Sequence, residues 1–377
     1  MTEQRVRPMR LLFVGDASSY HVSKWVRFFG ENGHDVHIIS TGPADLPGVT
    51  VHWVRNPFST FGLRHAFYAY YWMRVAALVR RMRPEVVHAL QINLYAFLAT
   101  LAGARPLVVT PFGGDVLVRP KESAWIRWMV GFVLRRASLV VCDADHIVPV
   151  LRKLGARTQP IERVYFGVDV GHLRPLPPAP VWQKRLGVAG CRVVVSLRHL
   201  MPVYDLPTLI RAVPAVVRGR PDVRFVVFGR GPEEARLRAQ VETLGVSDFV
   251  RFAGWIDGAD LPDALAHASV YVSTSTSDAG LATSTAEAMA CGVPAVVTDF
   301  GDNGQWVRDG ENGYLFPIGD EVALAQALGR ILDDPQLRAG LGARGREVIV
   351  ERYNWATEMR RTEALYQQVA AHVVRTG

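Results

Sequence analysis

The chain has 377 residues, of which 49% are hydrophobic and 21% are charged, which is ordinary globular usage and excludes a largely disordered or fibrous protein. That length favours two domains. The formal net charge of +8 predicts an anionic partner. The sequence has no zinc finger, RNA-binding aromatic strand or Lys-rich tail, so nucleic acid is not expected as that partner.

Apolar runs and cysteines narrow the class further. Arg, Lys, Asp or Pro interrupts every apolar stretch before it reaches the roughly 18 to 20 residues of a membrane-spanning helix. Residues 1–16 pass from a basic start into a short strand without the apolar core of a signal peptide, which predicts a cytoplasmic location. Cys142, Cys191 and Cys291 are too widely spaced to suggest a disulfide framework or a zinc site.

The first half of the chain alternates short apolar strands with helical segments. The pattern predicts a helix at 23–30 and strands at 10–16, 36–40, 86–90, 107–110 and 139–142. This alternation indicates a parallel sheet covered by helices on both faces. We therefore expect a Rossmann-like domain over residues 1–173.

A proline-rich stretch at 174–180, RPLPPAP, is predicted to be a stiff linker, because proline lacks the donor that helices and sheets need. Beyond it the alternation resumes, with strands expected at 192–197, 223–228, 250–252, 270–273 and 295–297. Residues 181–354 thus predict a second Rossmann-like domain. The last segment, 355–377, has helical periodicity and can pack back on the first domain.

The segment 277–299 carries the strongest chemical signal. Ser284 stands three residues before Glu287, the spacing of a capping box at the start of a helix that Cys291 and Gly292 close. The preceding loop consists of Gly280, Leu281, Ala282 and Thr283. A glycine-bearing loop at a helix N-terminus offers amides and a partial positive charge to a diphosphate. Two interpretations stay open: Ser284 and Glu287 serve only the backbone, or Glu287 binds the hydroxyls of a ribose.

Residues 286–316, AEAMACGVPAVVTDFGDNGQWVRDGENGYLF, closely resemble a signature block of the family 4 glycosyltransferases, which have the GT-B fold. Further family elements follow in order: PEVVHA at 84–89, GVD at 167–169, SLR at 196–198, FGRGP at 228–232 and FAGW at 252–255. The resemblance covers nearly the whole chain. It implies two Rossmann-like domains with a cleft between them, a nucleotide-sugar donor on the C-terminal domain, an acceptor mainly on the N-terminal domain, and transfer with retention of anomeric configuration.

The resemblance also implies roles on the donor side. Arg198 matches the family's strand-end arginine on the donor phosphates and, with the Gly280 loop, would stabilise charge on the leaving diphosphate. Glu287 matches the second of two family glutamates, the one on the ribose. Gly229 and Arg230, in the FGRGP element, are expected to bind the donor as well.

Two donor-side positions depart from the family pattern. A lysine that is the family's second phosphate cation corresponds to Tyr204, which is expected to bind the donor through a hydrogen bond but carries no charge. Arg230 and His199 are candidate replacements. The first family glutamate falls on Ala279, with Asp278 one residue earlier, so either a bulge brings Asp278 to the donor sugar or that carboxylate is absent. We favour the bulge, and Asp278 and Arg198 are the expected catalytic residues.

The acceptor side departs further. GDASSYH at 15–21 replaces the family's Gly-Gly loop, and Phe112 replaces its cleft histidine. The expected acceptor-binding residues are Asp16, Ser18, Ser19, His21, Phe112, Gly113, Gly114 and Asp115. The paired glycines permit close approach of a ligand and Asp115 can bind hydroxyls, or the segment is a tight turn with a capping aspartate.

Two features are interpreted as structural. Asp143 and Asp145 mimic a DxD metal motif, but their place between a strand and a helix favours capping. His88, at a strand end, is expected to be a packed histidine rather than a base. We expect no essential metal, and no cofactor besides the nucleotide-sugar co-substrate.

Residues 61–83 and 121–136 combine aromatic residues with arginines on a helical pattern. This suits an anionic membrane surface, or an aromatic core face with a solvated arginine face. A peripheral position on the inner face of a membrane is therefore an expectation, with a glycan, lipid-linked or small-molecule acceptor. The alternatives are a catalytically impaired carbohydrate-binding protein, a GT-B sugar-nucleotide epimerase and an NAD-dependent oxidoreductase, which the lack of a GxGxxG fingerprint at Gly15 weakens.

Overall fold

The computed structural model describes residues 7–56, 64–278 and 280–376. The chain divides into two compact units, one of Met1–Val164 with Met359–Gly377 and the other of Tyr165–Glu358. The predicted linker at 174–180 lies inside the second unit, and its last residue begins a helix. Of the positions discussed above, 1–6, 61–63, 279 and 377 lie outside the described residues.

The first unit contains a parallel sheet of seven strands. These are β1 (Arg10–Val14), β2 (Asp35–Ser40), β3 (Val49–Trp53), β4 (Val86–Leu90), β5 (Leu107–Thr110), β6 (Leu139–Cys142) and β7 (Ile161–Arg163). Their order across the sheet is β3-β2-β1-β4-β5-β6-β7, so the direction of winding reverses between β1 and β4. Ligands of such sheets bind at the carboxyl ends of the strands at this reversal.

Helices connect these strands. They are α1 (Tyr20–Glu31), α2 (Arg64–Met82), α3 (Leu94–Leu101), α4 (Gly114–Leu117), α5 (Arg119–Glu122), α6 (Ala124–Arg136) and α7 (Ile147–Leu154). Within the ranges that the structure covers, no helix combines the length and apolarity needed to cross a bilayer.

The second unit repeats this architecture with six parallel strands. They are β8 (Arg192–Ser196), β9 (Val223–Phe228), β10 (Val250–Gly254), β11 (Ala268–Ser273), β12 (Ala295–Thr298) and β13 (Gly313–Phe316), in the order β10-β9-β8-β11-β12-β13. Its helices are α8 (Pro180–Leu186), α9 (Leu206–Val217), α10 (Glu234–Thr243), α11 (Leu261–Leu265), α12 (Thr283–Ala290), α13 (Asn303–Trp306), α14 (Glu321–Asp333) and α15 (Pro335–Arg352). The reversal here falls between β8 and β11.

Burial explains which strands the sequence pattern found. All strands predicted from apolar runs are present, and β4, β5, β6 and β12 are buried at every residue. The missed strands are β3, β7 and β13, which end the two sheets. None of these strands is buried throughout: β3 and β7 contain no fully buried residue and β13 contains two, whereas a central strand covered on both faces has a continuous apolar run.

The last helix, α16 (Trp355–Thr376), contributes polar anchors to the first unit. Tyr366 is fully buried, and its hydroxyl bonds the Nδ1 atom of His88 and accepts from Nε1 of Trp25 at 3.3 Å. The Nε2 atom of His88 lies 2.8 Å from the hydroxyl of Thr110. Burial lowers the pKa of His88 to about 3, so this ring is neutral at pH 7. His88 is thus the packed histidine that the sequence predicted.

A second anchor has a defined proton position. The backbone N–H of Met9 donates to Nδ1 of His34 at 3.2 Å, so the ring proton sits on Nε2 and is donated to Glu363 at 2.6 Å. Both side chains are buried. The two anchors tie residues of α16 to the β1–α1–β2 and β4 segments by hydrogen bonds.

Replacing Tyr366 with Phe removes the hydroxyl that bonds Nδ1 of the buried His88 and accepts from Nε1 of Trp25. We expect the free energy of unfolding to fall by about 1–3 kcal/mol, seen as a lower urea midpoint of the intrinsic fluorescence transition. Tyr20 is 64% exposed, and Tyr20→Phe is the matched control, expected to change stability by less than about 0.5 kcal/mol. Equal midpoints for the two variants would contradict the anchoring role of Tyr366.

Candidate functional site

Arg198 lies just beyond β8, at the carboxyl edge of the second sheet where the winding reverses. Its side chain is buried, with a residue exposure of 7%. The Nη2 atom donates to Oδ1 of Asp278 at 2.5 Å, and Nη1 donates to the hydroxyl of Ser284 at 3.2 Å. Residues after β8 and β11 and inside α12 are thereby brought together around one cation.

The electrostatics keep Arg198 charged. Burial by itself lowers the pKa of a guanidinium, but Tyr271, Asp278 and Tyr204 outweigh it, so the pKa of Arg198 is raised above its usual value. The Cζ atom of Arg198 lies 4.1 Å from the ring centroid of Tyr204. Tyr204, which stands where the family has a lysine, therefore stacks on the arginine as an aromatic surface and supplies no second charge.

The start of α12 differs from the capping box that the spacing predicted. The N-cap is Ala282, with no side-chain cap bond, and Ser284 is the second residue of the helix. Its hydroxyl instead lies 2.8 Å from the hydroxyl of the fully buried Tyr271 and accepts from Arg198. The capping interpretation of Ser284 is wrong because its hydroxyl is committed to these two side chains. An alanine N-cap leaves the first amides of the helix without a side-chain acceptor, as a phosphate site requires.

The FGRGP element packs against the backbone that carries Arg198. A Cβ at Gly229, whose φ is +120°, would lie 2.4 Å from the carbonyl oxygen of Arg198, and one at Gly231 would lie 2.2 Å from that of Leu200. The amide of Leu200 donates to the carbonyl of Arg230 at 3.1 Å. The structure thus gives these glycines a packing role that positions Arg198. The side chain of Arg230 is exposed.

The two predicted carboxylates of the donor side occupy different surroundings. Asp278 is paired with Arg198, and its side chain is 12% exposed. Glu287 is half-buried in α12, and its charge, after burial itself, is the next cause that raises the pKa of Cys291 to about 12. Ala279, the position of the first family glutamate, lies outside the described residues. The remaining loop residues, Gly280, Leu281 and Ala282, are buried, and Thr283 is half-buried.

Sequence reasoning missed Ser275 and Tyr271 of this network and gave Ser284 only a capping role. Ser275 accepts from Nη2 of Arg198 at 3.5 Å, and Ser284 and Tyr271 continue the chain of contacts. For Ser275 the available signal was the run STSTS at 273–277, which begins at the last residue of a predicted strand. Serine and threonine are also common in loops, so the run alone does not identify a ligand of the arginine.

In the first unit, the expected acceptor residues fall at the carboxyl ends of β1 and β5. The hydroxyl of Ser18 donates to Oδ1 of Asp16 at 2.7 Å, and Ser19 is the N-cap residue of α1 without a side-chain cap bond. The rings of His21 and Phe112 meet edge to face with centroids 6.3 Å apart. The structure therefore brings the two predicted segments together within this unit.

Asp115 is committed to the backbone. It is 4% exposed, its Oδ2 atom accepts from the amide of Ile92 at 2.6 Å, and its Oδ1 atom accepts from the amide of Phe112 at 3.0 Å. Gly113 has a φ of +96°, and Gly114 is exposed. Of the two interpretations left open, the structure records the turn held by an aspartate. Asp115 positions Phe112 and the end of β4.

The DxD-like pair also has another explanation. Asp145 forms an ion pair with Arg163, and α7 begins after His146 as N-cap, with no side-chain cap bond. The capping role expected for these aspartates is therefore not the one recorded for Asp145. Over the described ranges, no group of three or more His, Cys, Asp and Glu side chains is placed to hold a metal ion.

Residues 182–348 match the family described as glycosyl transferases group 1, and residues 10–144 match the family described as glycosyl transferase 4-like. The GDP-mannose-dependent alpha-(1-6)-phosphatidylinositol monomannoside mannosyltransferase of Mycolicibacterium smegmatis is 32% identical over 284 residues, 71% of this chain and 72% of that protein. The N-acetyl-alpha-D-glucosaminyl L-malate synthase of Bacillus anthracis is 25% identical over 360 residues, 90% of each protein. The structure of HepE from Anabaena with UDP has a TM-score of 0.76 at 21% identity, over 96% of this chain and 100% of that one.

Asp115 gives a prediction with a defined pH dependence. Burial raises the pKa of its carboxyl to about 6, against a usual value of 3.8, although the backbone amides oppose the shift. The folded state therefore holds this proton more tightly than the unfolded state. Stability from this group is fully present below pH 4 and falls by about 3 kcal/mol as the pH rises to about 6, then stays level.

Asp115→Asn removes the titration and keeps one acceptor for the two amides. We expect its stability, measured by urea unfolding, to lack this fall between pH 4 and 6 that the wild type shows. Because one buried amide loses its acceptor in this variant, we also expect its free energy of unfolding to be about 1–3 kcal/mol lower than it would be with both amides satisfied. Asp35→Asn, on an exposed residue of the same unit, is the control. Parallel pH profiles of the wild type and Asp115→Asn would refute the assignment.

Proposed function

Because the chain belongs to the family 4 glycosyltransferases of the GT-B fold, we propose that its second unit binds a nucleoside-diphosphate sugar through Arg198 and the start of α12. The sugar is then transferred, with retention, to a hydroxyl group of an acceptor bound mainly by the first unit. Family membership and transferase activity agree with the motif block from which they were predicted. The matched relatives give no support to the epimerase, oxidoreductase or impaired-binding alternatives.

The observation that carries this proposal is the buried, charged guanidinium of Arg198 beside the uncapped start of α12. When the bond between the anomeric carbon and the diphosphate oxygen breaks, negative charge collects on the leaving diphosphate. A fixed cation and helix amides that face this charge lower the barrier without reorganising. In this proposal they supply that stabilisation without a metal ion. The acceptor oxygen forms the new bond to the anomeric carbon, and its proton is taken up by the oxygen of the leaving diphosphate.

The acceptor is proposed to be a lipid-linked or cell-envelope glycan. One relative acts on a phosphatidylinositol mannoside with GDP-mannose, another is a glucosaminyl malate synthase, and HepE was solved with UDP. These names leave guanine and uracil nucleotides as the first donors to test. A hydroxyl on a membrane lipid requires that the enzyme reach the membrane surface.

A basic aromatic face on α6 supports peripheral binding to an anionic membrane. We define this face by Trp125, Trp128, Phe132 and Arg136, whose spacing places them on one side of the helix. Trp125 and Trp128 are 57% and 48% exposed, and their rings stack with centroids 5.0 Å apart. The guanidinium of Arg136 lies 3.7 Å from the ring centroid of Phe132.

The alternative interpretation, an aromatic core face, is therefore wrong for these two tryptophans. Helix α6 contains no Asp or Glu, and Glu122 in the preceding α5 is the one carboxylate of the predicted segment 121–136. Exposed indole rings suit the interface between headgroups and acyl chains, and arginines are attracted to its negative surface potential. The other predicted segment, 61–83, forms α2 over Arg64–Met82, where Trp72 and Met73 are also exposed.

The donor proposal predicts nucleotide binding that depends on Arg198. UDP or GDP should raise the melting temperature of the wild type, because a ligand of the folded state stabilises it. We expect Arg198→Gln to weaken the affinity at least about tenfold by calorimetry, which is about 1.4 kcal/mol. Arg192→Gln is the matched control, because Arg192 begins the same strand at its opposite end and pairs with Asp222.

Turnover of the matching nucleotide sugar should be lost with Arg198→Gln, retained with Arg192→Gln and unchanged by EDTA. Unaltered nucleotide affinity in Arg198→Gln would overturn the donor assignment. Loss of turnover with EDTA, restored by Mg²⁺, would overturn the metal-independent mechanism.

The membrane proposal predicts binding to vesicles that contain phosphatidylglycerol. At low salt, the wild type should pellet with them and a Trp125→Ala/Trp128→Ala variant should lose most of this binding. Trp255→Ala, which removes a 52% exposed tryptophan of the second unit, should bind as the wild type does. Binding should weaken as salt screens the arginines. Equal pelleting of all three proteins, or none with the wild type, would count against this face.

A further inference from the structure

The ion pair between Asp278 and Arg198 affects how the donor diphosphate can bind. The proposed function, on which this inference rests, gives Arg198 to the donor diphosphate. In the structure the same guanidinium donates to the Asp278 carboxylate at 2.5 Å, and both side chains are nearly buried, with exposures of 8% and 12%. A carboxylate and a diphosphate would therefore compete for one cation.

Among the described residues, no recorded partner of the guanidinium adds a second positive charge that could hold the diphosphate beside Asp278. The other partners are neutral, namely the hydroxyls of Ser275 and Ser284 and the ring of Tyr204. Two anions held against a single cation repel each other strongly where water is largely excluded. Asp278 and a bound diphosphate are thus mutually unfavourable.

The guanidinium has a support that does not depend on Asp278. The hydroxyl of Ser284 accepts from Nη1 and is hydrogen-bonded to the hydroxyl of Tyr271. The ring of Tyr204 covers one face of the guanidinium. The Nε atom of Arg198 is buried without a hydrogen-bond partner. The arginine therefore keeps its orientation and an unused donor when its carboxylate partner is exchanged.

We propose that Asp278 is a displaceable counter-ion of Arg198. It neutralises the buried guanidinium before the donor binds, yields it to the diphosphate, and pairs with it again as the nucleoside diphosphate leaves. In this role Asp278 sets the affinity for the diphosphate and does not contact the donor sugar, which differs from the role expected from the sequence. No covalent step is assigned to it.

The test compares nucleotides with and without the sugar. Calorimetry is carried out with UDP, GDP and the matching nucleotide sugars on the wild type, Asp278→Asn and Asp222→Asn. Asp222 pairs with Arg192 at the opposite edge of the same sheet, so its substitution removes the same charge from an arginine away from the site. We expect Asp278→Asn to bind the nucleoside diphosphate about tenfold more tightly, with the nucleotide sugar strengthened equally, and Asp222→Asn to match the wild type.

Three other outcomes of the calorimetry would contradict the counter-ion role of Asp278. Unchanged nucleoside diphosphate affinity with weaker nucleotide-sugar binding in Asp278→Asn would show that Asp278 contacts the sugar, and the inference would be overturned. Nucleotide binding that is equal in the wild type and Asp278→Asn for all ligands would also overturn it while leaving the donor site intact. If neither the wild type nor Asp278→Asn binds any nucleotide, the proposed function and this inference are both contradicted.

Asp278→Glu keeps the charge and guards against misfolding of the asparagine variant. As a counter-ion, glutamate should leave the affinity for nucleoside diphosphate and nucleotide sugar within about threefold of the wild type, which is about 0.7 kcal/mol. A selective loss of nucleotide-sugar affinity in this variant would contradict the counter-ion role, because only a sugar contact depends on the exact reach of the carboxylate.

Discussion

A buried positive charge organises the carboxyl edge of the second sheet. Arg198 is 7% exposed, and a guanidinium removed from water is stable only when charges and hydrogen-bond acceptors surround it. Asp278 provides the charge, Ser284 an acceptor and Tyr204 an aromatic face. The elements that carry these residues are a strand end, a loop and a helix, so one cation determines how three segments meet.

Other features of this edge follow from the same constraint. The glycines of the FGRGP element lie where a side chain would collide with the backbone of Arg198 or Leu200. The hydroxyl of Ser284 bonds other side chains and does not cap α12. The N-cap residue is Ala282, so the N-cap residue supplies no side-chain acceptor to the first amides of the helix. The same contacts that stabilise the arginine therefore leave the N-cap of α12 without a side-chain cap bond, the feature on which the proposed diphosphate site depends.

The first unit uses the same strand order with the opposite charge. There the buried group at the carboxyl edge is Asp115, and both of its oxygens are occupied by backbone amides. With 4% exposure and an amide on each oxygen, this carboxylate holds the loop and presents little surface to a hydroxyl ligand. The other expected acceptor residues that are exposed or half-buried stay predictions: Asp16, Ser18, Ser19, His21, Phe112 and Gly114.

The sequence by itself determined the family, the two Rossmann-like units, the central strands and the place of Arg198 at a strand end. These depend on local apolar runs and on motifs whose residues are close together in the chain. The tertiary structure decided the partners: Arg198 meets Asp278 and Ser284 across 80 and 86 positions of sequence. A serine three residues before a glutamate has the same spacing whether it caps a helix or holds an arginine, so only the contact distinguishes the two. The edge strands β3, β7 and β13 were missed because none of them is fully buried along its length, as the central strands β4, β5, β6 and β12 are.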